Sequence, residues 1–350
     1  EYLDLIMGLG AVALGYADPQ VTEAAVAAVR AGVVGPLPPV LEEQVATELR
    51  RLIPWAERLR FLKTGAEAMA AAVRLARAVT GREGVLGCGY HGWLDWCQTG
   101  APGVPAGTRA LYAELPYNDA ERTRELIRRA GDTLAAVVFE PVILAAPGPE
   151  WLTVLRDETA RVGALLIADE IKTIGRVAVG GGCERWGVRP DLVVMGKAIA
   201  NGFPLAAVGG RADVMAAVER TWISSTLATE WVSLAAADAT LRVMTARRVP
   251  EHLGRVGARL FAGFETLAGR YPRVVQGVAG LPEMCCLRFH DEASGAALAA
   301  EAARRGLLFK RAAYNFVSLA HDEAAVDRAV GVLDDALATQ HRRGDVAPSS

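Results

Sequence analysis

The sequence carries only five cysteines, Cys88, Cys97, Cys183, Cys285 and Cys286, and no two of them form a CxxC pair. His91 is the single histidine near the first two, so no metal-ligand spacing is present and no metal is expected. The odd count points to reduced thiols in a cytoplasmic protein. Cys285 and Cys286 fall in an apolar run that reads as buried strand, away from the exposed, electropositive setting that thiolate chemistry needs. An excess of one charge is also missing: 38 Lys+Arg face 40 Asp+Glu. Neither a nucleic acid nor a membrane surface is therefore indicated as a partner, and a small polar or anionic ligand fits better. No run of 18 apolar residues and no cleavable leader is visible, so neither spanning nor secretion is expected, and the sequence shows no internal repeat or low-complexity tract.

What is present is a chain of 350 residues, 52% of them hydrophobic, enough to bury the core of a large α/β domain and a smaller one. Residues 18–31, 41–52, 67–79, 119–130 and 151–162 have helical periodicity. Between them lie short apolar runs at 59–63, 84–88, 134–140, 164–171 and 191–195. This alternation predicts a mostly parallel, helix-covered sheet. From about Leu234 the pattern changes to helices at 234–246 and 250–270, a strand near 283–289, a short strand at 315–319 and a helix near 322–338, the signature of a smaller α+β domain.

Four groups of residues stand where strands end, the place at which open α/β sheets bind ligands. Thr64-Gly65-Ala66-Glu67 links a strand to a helix. It reads either as a turn whose unpaired N–H groups hold a phosphate, or as an ordinary Thr N-cap with Glu67 completing a capping box. Asp169 closes an otherwise apolar strand; with a period of two, Asp169 and Ile171 face one side and Glu170 the other. A buried acid needs a cation, and a protonated pyridine nitrogen would serve; a plain cap on the next segment is the alternative. Lys197, among Gly196, Ala198, Ile199 and Phe203, is either a desolvated nucleophilic amine or a lysine snorkelling to water. Tyr90-His91-Gly92-Trp93 offers an aromatic to lie on a flat ring, or simply core filling.

The order of these motifs resembles the class III, fold-type I pyridoxal-phosphate aminotransferases, and in particular the branch similar to glutamate semialdehyde aminomutase. The resemblance runs from about Tyr2 to about Leu337. It is carried by 57–83 (ERLRFLKTGAEAMAAAVRLARAVTGRE), 89–93 (GYHGW), 138–142 (VFEPV), 163–178 (GALLIADEIKTIGRVA), 190–210 (PDLVVMGKAIANGFPLAAVGG) and 224–241 (SSTLATEWVSLAAADATL). It implies that Lys197 holds pyridoxal 5'-phosphate as a Schiff base and shuttles protons, that Asp169 keeps the ring nitrogen protonated, and that Ile171 and Tyr90 sandwich the ring. It implies further that Gly65 and Ala66 bind the phosphate through backbone groups, that Glu140 lies near the phenolic edge, and that Thr226 reaches the phosphate from the partner subunit of a homodimer. The domains it implies are a shortened N-terminal segment at 1–30, a large cofactor domain at 31–233, a small domain at 234–341 and a frayed tail at 342–350.

The departures concern the substrate. Ala66 replaces a family hydroxyl, Thr173-Ile174-Gly175-Arg176 exchanges an aliphatic residue and a glycine, and Ala313 stands where the aminomutase carries an acid. His91 and Arg311 are candidate substrate contacts, although His91 also reads as serving its own loop and Lys310-Arg311 as a solvated edge. The expectation is a ping-pong transfer from an amino donor, such as glutamate, to a keto or aldehyde acceptor in carbohydrate or secondary metabolism. An aminomutase, an epimerase or decarboxylase, and a non-catalytic cofactor-binding relative are the alternatives.

Overall fold

The computed structural model describes residues 1–344. The chain forms two compact units, one made of Ala17–Ile143 and Pro147–Ala246, the other of Glu1–Tyr16, Leu144–Ala146 and the chain from Arg247 onward.

The larger unit is built on a seven-stranded sheet in the spatial order Arg58–Leu62, Ala206–Gly210, Leu192–Met195, Leu165–Asp169, Leu134–Phe139, Gly84–Cys88, Tyr112–Glu114. Only Ala206–Gly210 runs antiparallel to its neighbours; the other adjacent pairs are parallel. The apolar runs are continuous because both faces are covered. Along the central strands alternate residues go to opposite layers. Val138, Ile167 and Val194 pack with Met69, Ala72 and Leu75 of the helix Gly65–Thr80. Val137, Leu166 and Ala168 pack with Trp151 and Leu155 of the helix Pro149–Arg161.

The smaller unit has a three-stranded antiparallel sheet, ordered Asn315–Phe316, Met284–Phe289, Val275–Leu281, with helices Val249–Arg270, Glu292–Arg304 and Glu323–Gly344. Leu3–Asp4 pairs with Leu307–Leu308. Cys285 and Cys286 are buried in a strand, as their surroundings predicted.

The expected domain limits are displaced. Helix Trp231–Ala246, read as the start of the small domain, packs against helices Pro19–Ala31 and Val40–Leu52 of the larger unit. The reason is its burial: Leu234, Ala236, Ala237, Leu241 and Val243 are enclosed, so it needs cover on several sides. Residues 17–30 belong to the larger unit and 1–16 to the smaller. Of the tail at 342–350, residues 342–344 continue the last helix and 345–350 lie outside the described residues. Among the described residues no helix is long and apolar enough to cross a membrane.

Candidate active site

Neighbouring parallel strands end together, and the sheet register places the site. Cys88 lies opposite Phe139, Phe139 opposite Ala168, and Asp169 opposite Val194. The residues just beyond these ends, Tyr90, His91, Glu140, Asp169, Ile171 and Lys197, therefore meet at one edge. With Gly65, Ala66, Lys63, Lys172, Trp93, Phe203 and Leu205 they line a cavity of about 320 Å³.

Lys197 follows its strand in a left-handed backbone conformation, φ 50°, one that residues with a side chain rarely adopt and that concentrates at functional sites. Burial pushes its ammonium pKa down, and the nearby charges of Lys172 and Arg176 push the same way against Asp169 and Glu140. The amine is thus biased toward its neutral, nucleophilic form.

Asp169 is buried, yet it is held: its Oδ2 lies 2.8 Å from His91 Nδ1 and its Oδ1 accepts from the Ile171 N–H at 3.2 Å. The His91 ring lies nearly parallel to Trp96, 6.2 Å between centroids. Its Nε2 is buried and has no hydrogen-bond partner among the described residues. The His91 side chain is buried and backs Asp169 at the cavity edge, a contact the sequence did not suggest. Nothing in its local sequence pointed to a residue 78 positions away.

Glu170 projects away from the cavity, as the strand period required, and accepts from Thr173 Oγ1 and from the N–H groups of Gly182 (2.7 Å) and Cys183 (2.6 Å). Burial raises its pKa. Glu140 pairs with Lys172 at 3.1 Å; burial raises its pKa and Lys172 opposes the shift. Gly89 and Gly92 both have positive φ, and a side chain on them would strike Glu140 and Ala66, so the Tyr90 loop can lie this close only with glycine there.

The capping-box reading of 64–67 is realised in the structure. Thr64 and Glu67 form a reciprocal capping box, while Gly65 and Ala66 face the cavity. Any side chain on Gly65 would come within 2.5 Å of Ile171 Cδ1. The exchange at 174–175 also has a cause: Ile174 is buried in the core, and Gly175, at φ 65°, lies against Met244 where a Cβ would come within 2.4 Å.

Two expected residues stand elsewhere. Thr226 is exposed and is not among the residues around this cavity. Arg311 belongs to the smaller unit, where it pairs with Glu292 at 2.8 Å. Lys63 and Lys172 were missed; the available signal was a lysine at the end of an apolar strand and another directly after Ile171.

The cavity suits pyridoxal phosphate on its own chemistry: a depressed-pKa amine, a braced carboxylate for a ring N–H, aliphatic and aromatic faces, and backbone donors at a helix N-terminus. The family model for class-III aminotransferases matches residues 1–337. A glutamate-1-semialdehyde 2,1-aminomutase of Anaeromyxobacter sp. (strain Fw109-5) is 34% identical over 97% of this chain and 87% of its own length. Among solved structures, the FumI protein of Sphingopyxis sp. MTA144 in its pyridoxal-phosphate internal aldimine form superposes with a TM-score of 0.93 at 27% identity, over 99% of this chain and 86% of its own. A β-phenylalanine aminotransferase from Variovorax paradoxus gives 0.88 at 28% identity, over 97% and 84%.

Proposed function

The chain belongs to the class-III aminotransferases, enzymes that use pyridoxal phosphate, and from that premise we propose that it moves an amino group from an amino acid donor to a keto or aldehyde acceptor in two half-reactions. The observation that carries this reading is the placement of Lys197 and the His91-braced Asp169 on one cavity. Pyridoxal phosphate, when bound, supplies a carbonyl that condenses with amines and a ring that withdraws charge from the substrate carbon.

The chain's own groups supply the rest. Lys197, its pKa lowered by burial, holds the cofactor and then moves a proton at its Nζ. Asp169 holds a proton on the ring nitrogen, and the His91 hydrogen bond fixes its carboxylate in place. Ile171 and Tyr90 bound the two faces, Gly65 and Ala66 offer N–H groups to the phosphate, and the Glu140–Lys172 pair borders the cavity. Thr226, exposed on its own chain, fits a contact to the partner's phosphate in a homodimer.

Aminomutase chemistry is the second reading, supported by the name of the 34% identical relative. One experiment separates the two. An amino acid alone is expected to consume the visible band of the cofactor-loaded protein stoichiometrically and release one carbonyl product per site. Continuous isomerisation of one substrate, with no acceptor, would favour the aminomutase. A protein that forms no visible band with pyridoxal phosphate overturns both.

A further inference from the structure

We propose that Lys63 binds the cofactor's phosphate, taking over from the hydroxyl that this chain lacks at Ala66; the assignment rests on the pyridoxal-phosphate reading above. Lys63 follows directly on the strand Arg58–Leu62 and lines the same cavity as Gly65 and Ala66. Its Nζ donates to Glu230 Oε1 at 2.8 Å and to the Pro204 carbonyl at 3.0 Å. An ammonium has three donors, so these two contacts, the ones it makes among the described residues, leave one for a ligand.

The ammonium is held before any ligand arrives. Glu230 is itself fixed at the start of the helix Trp231–Ala246, where it accepts from the N–H groups of Val232 (2.7 Å) and Ser233 (2.9 Å). A cation clamped in this way loses little freedom on binding an anion.

The local charge balance calls for such a cation. Glu67 lies over the turn, its Oε2 accepting from Lys63 N (3.2 Å), Thr64 N (2.9 Å) and Thr64 Oγ1 (3.0 Å). That places a carboxylate on the same turn as Gly65 and Ala66, where negative charge disfavours a second anion and an added cation offsets it. Of the other lysines around the cavity, Lys197 is committed to the carbonyl, and Lys172, paired with Glu140 as Lys63 is with Glu230, follows Ile171 instead of leading into the Gly65–Ala66 turn.

The test compares two aldehydes that differ only in the phosphate. The protein stripped of cofactor is titrated with pyridoxal phosphate and with pyridoxal, reading the visible band formed on Lys197. Lys63→Met is expected to lower the affinity for pyridoxal phosphate roughly tenfold to a hundredfold, the size of a lost charge-assisted contact, and to leave pyridoxal nearly unchanged. Equal weakening of both aldehydes, or an unchanged preference, would overturn the assignment. If Lys63→Met does not fold, Lys63→Arg, which keeps the charge, is expected to keep the preference, and its loss there would overturn the assignment too. Failure of the parent protein to form the band with either aldehyde would instead overturn the underlying cofactor reading.

Discussion

Lys197, Asp169 and His91 form a chain of dependence in which each residue sets the state of the next. Desolvation lowers the Lys197 pKa, so its amine becomes nucleophilic at a lower pH than an exposed lysine, whose pKa is about 10.4. The rate of cofactor capture against pH is expected to reach half its maximum below that value; a midpoint at or above it would contradict the burial argument. Replacing His91 by Phe removes the bond to Asp169 Oδ2 while keeping an aromatic ring beside Trp96. The loss of a hydrogen bond to a charged group, about 1.5–3 kcal/mol, predicts roughly a tenfold to hundredfold fall in kcat with the cofactor still bound. Lys197 and Asp169 were legible as candidates from their enclosure and strand position, and only the resemblance gave them roles. The bond from His91 to Asp169 was not foreseen because its partner is distant in sequence and adjacent only through the register of three strands.

At the scale of elements, the helices and the buried parallel strands could be read directly, since their periodicity follows from which faces are covered. The strand Ala206–Gly210 was not: with sequence AAVGG it carries little strand propensity and is held by pairing on both edges. Val275–Leu281, with two glycines, was missed for the same reason, and Glu292–Arg304, rich in alanine, for want of a clear apolar stripe. The turn after Asp169 shows how a family departure is accommodated. Gly175 has positive φ and touches Met244, so Gly175→Ala is expected to destabilise the fold by about 1–2 kcal/mol from backbone strain alone. The shift in denaturation midpoint measures this, and an unchanged midpoint would show that the turn relaxes.

For the molecule as a whole, the sequence showed two domains and their order but misplaced their limits. Helix Trp231–Ala246 looks like the first element of a new pattern, yet its apolar surface is satisfied by helices some two hundred residues earlier. Acid sensitivity is a property at this scale. His321 is buried in the smaller unit, accepts from the Ser318 N–H at 2.9 Å, and has its pKa lowered by burial and by His252, against the raising effects of Asp4 and Asp322. The unfolded histidine takes up a proton near pH 6.5, its ordinary value, whereas the folded one resists until a lower pH. The unfolded state then holds more protons, and stability falls as pH drops below about 6.5. His321→Asn is expected to flatten that decline in urea midpoints measured between about pH 7.5 and about pH 5. An identical slope in the two proteins would assign the decline to other groups.

The left-handed backbone at Lys197 also sets a limit on how robust this protein can be. Any residue with a Cβ is strained there, so the position suits glycine better than the lysine that chemistry demands. Stripped of cofactor, Lys197→Gly should outlast Lys197→Ala by about 1 kcal/mol in unfolding experiments. Heat tolerance and catalysis therefore compete at a single residue: inert descendants of this chain would be free to harden at that residue, and active ones would not.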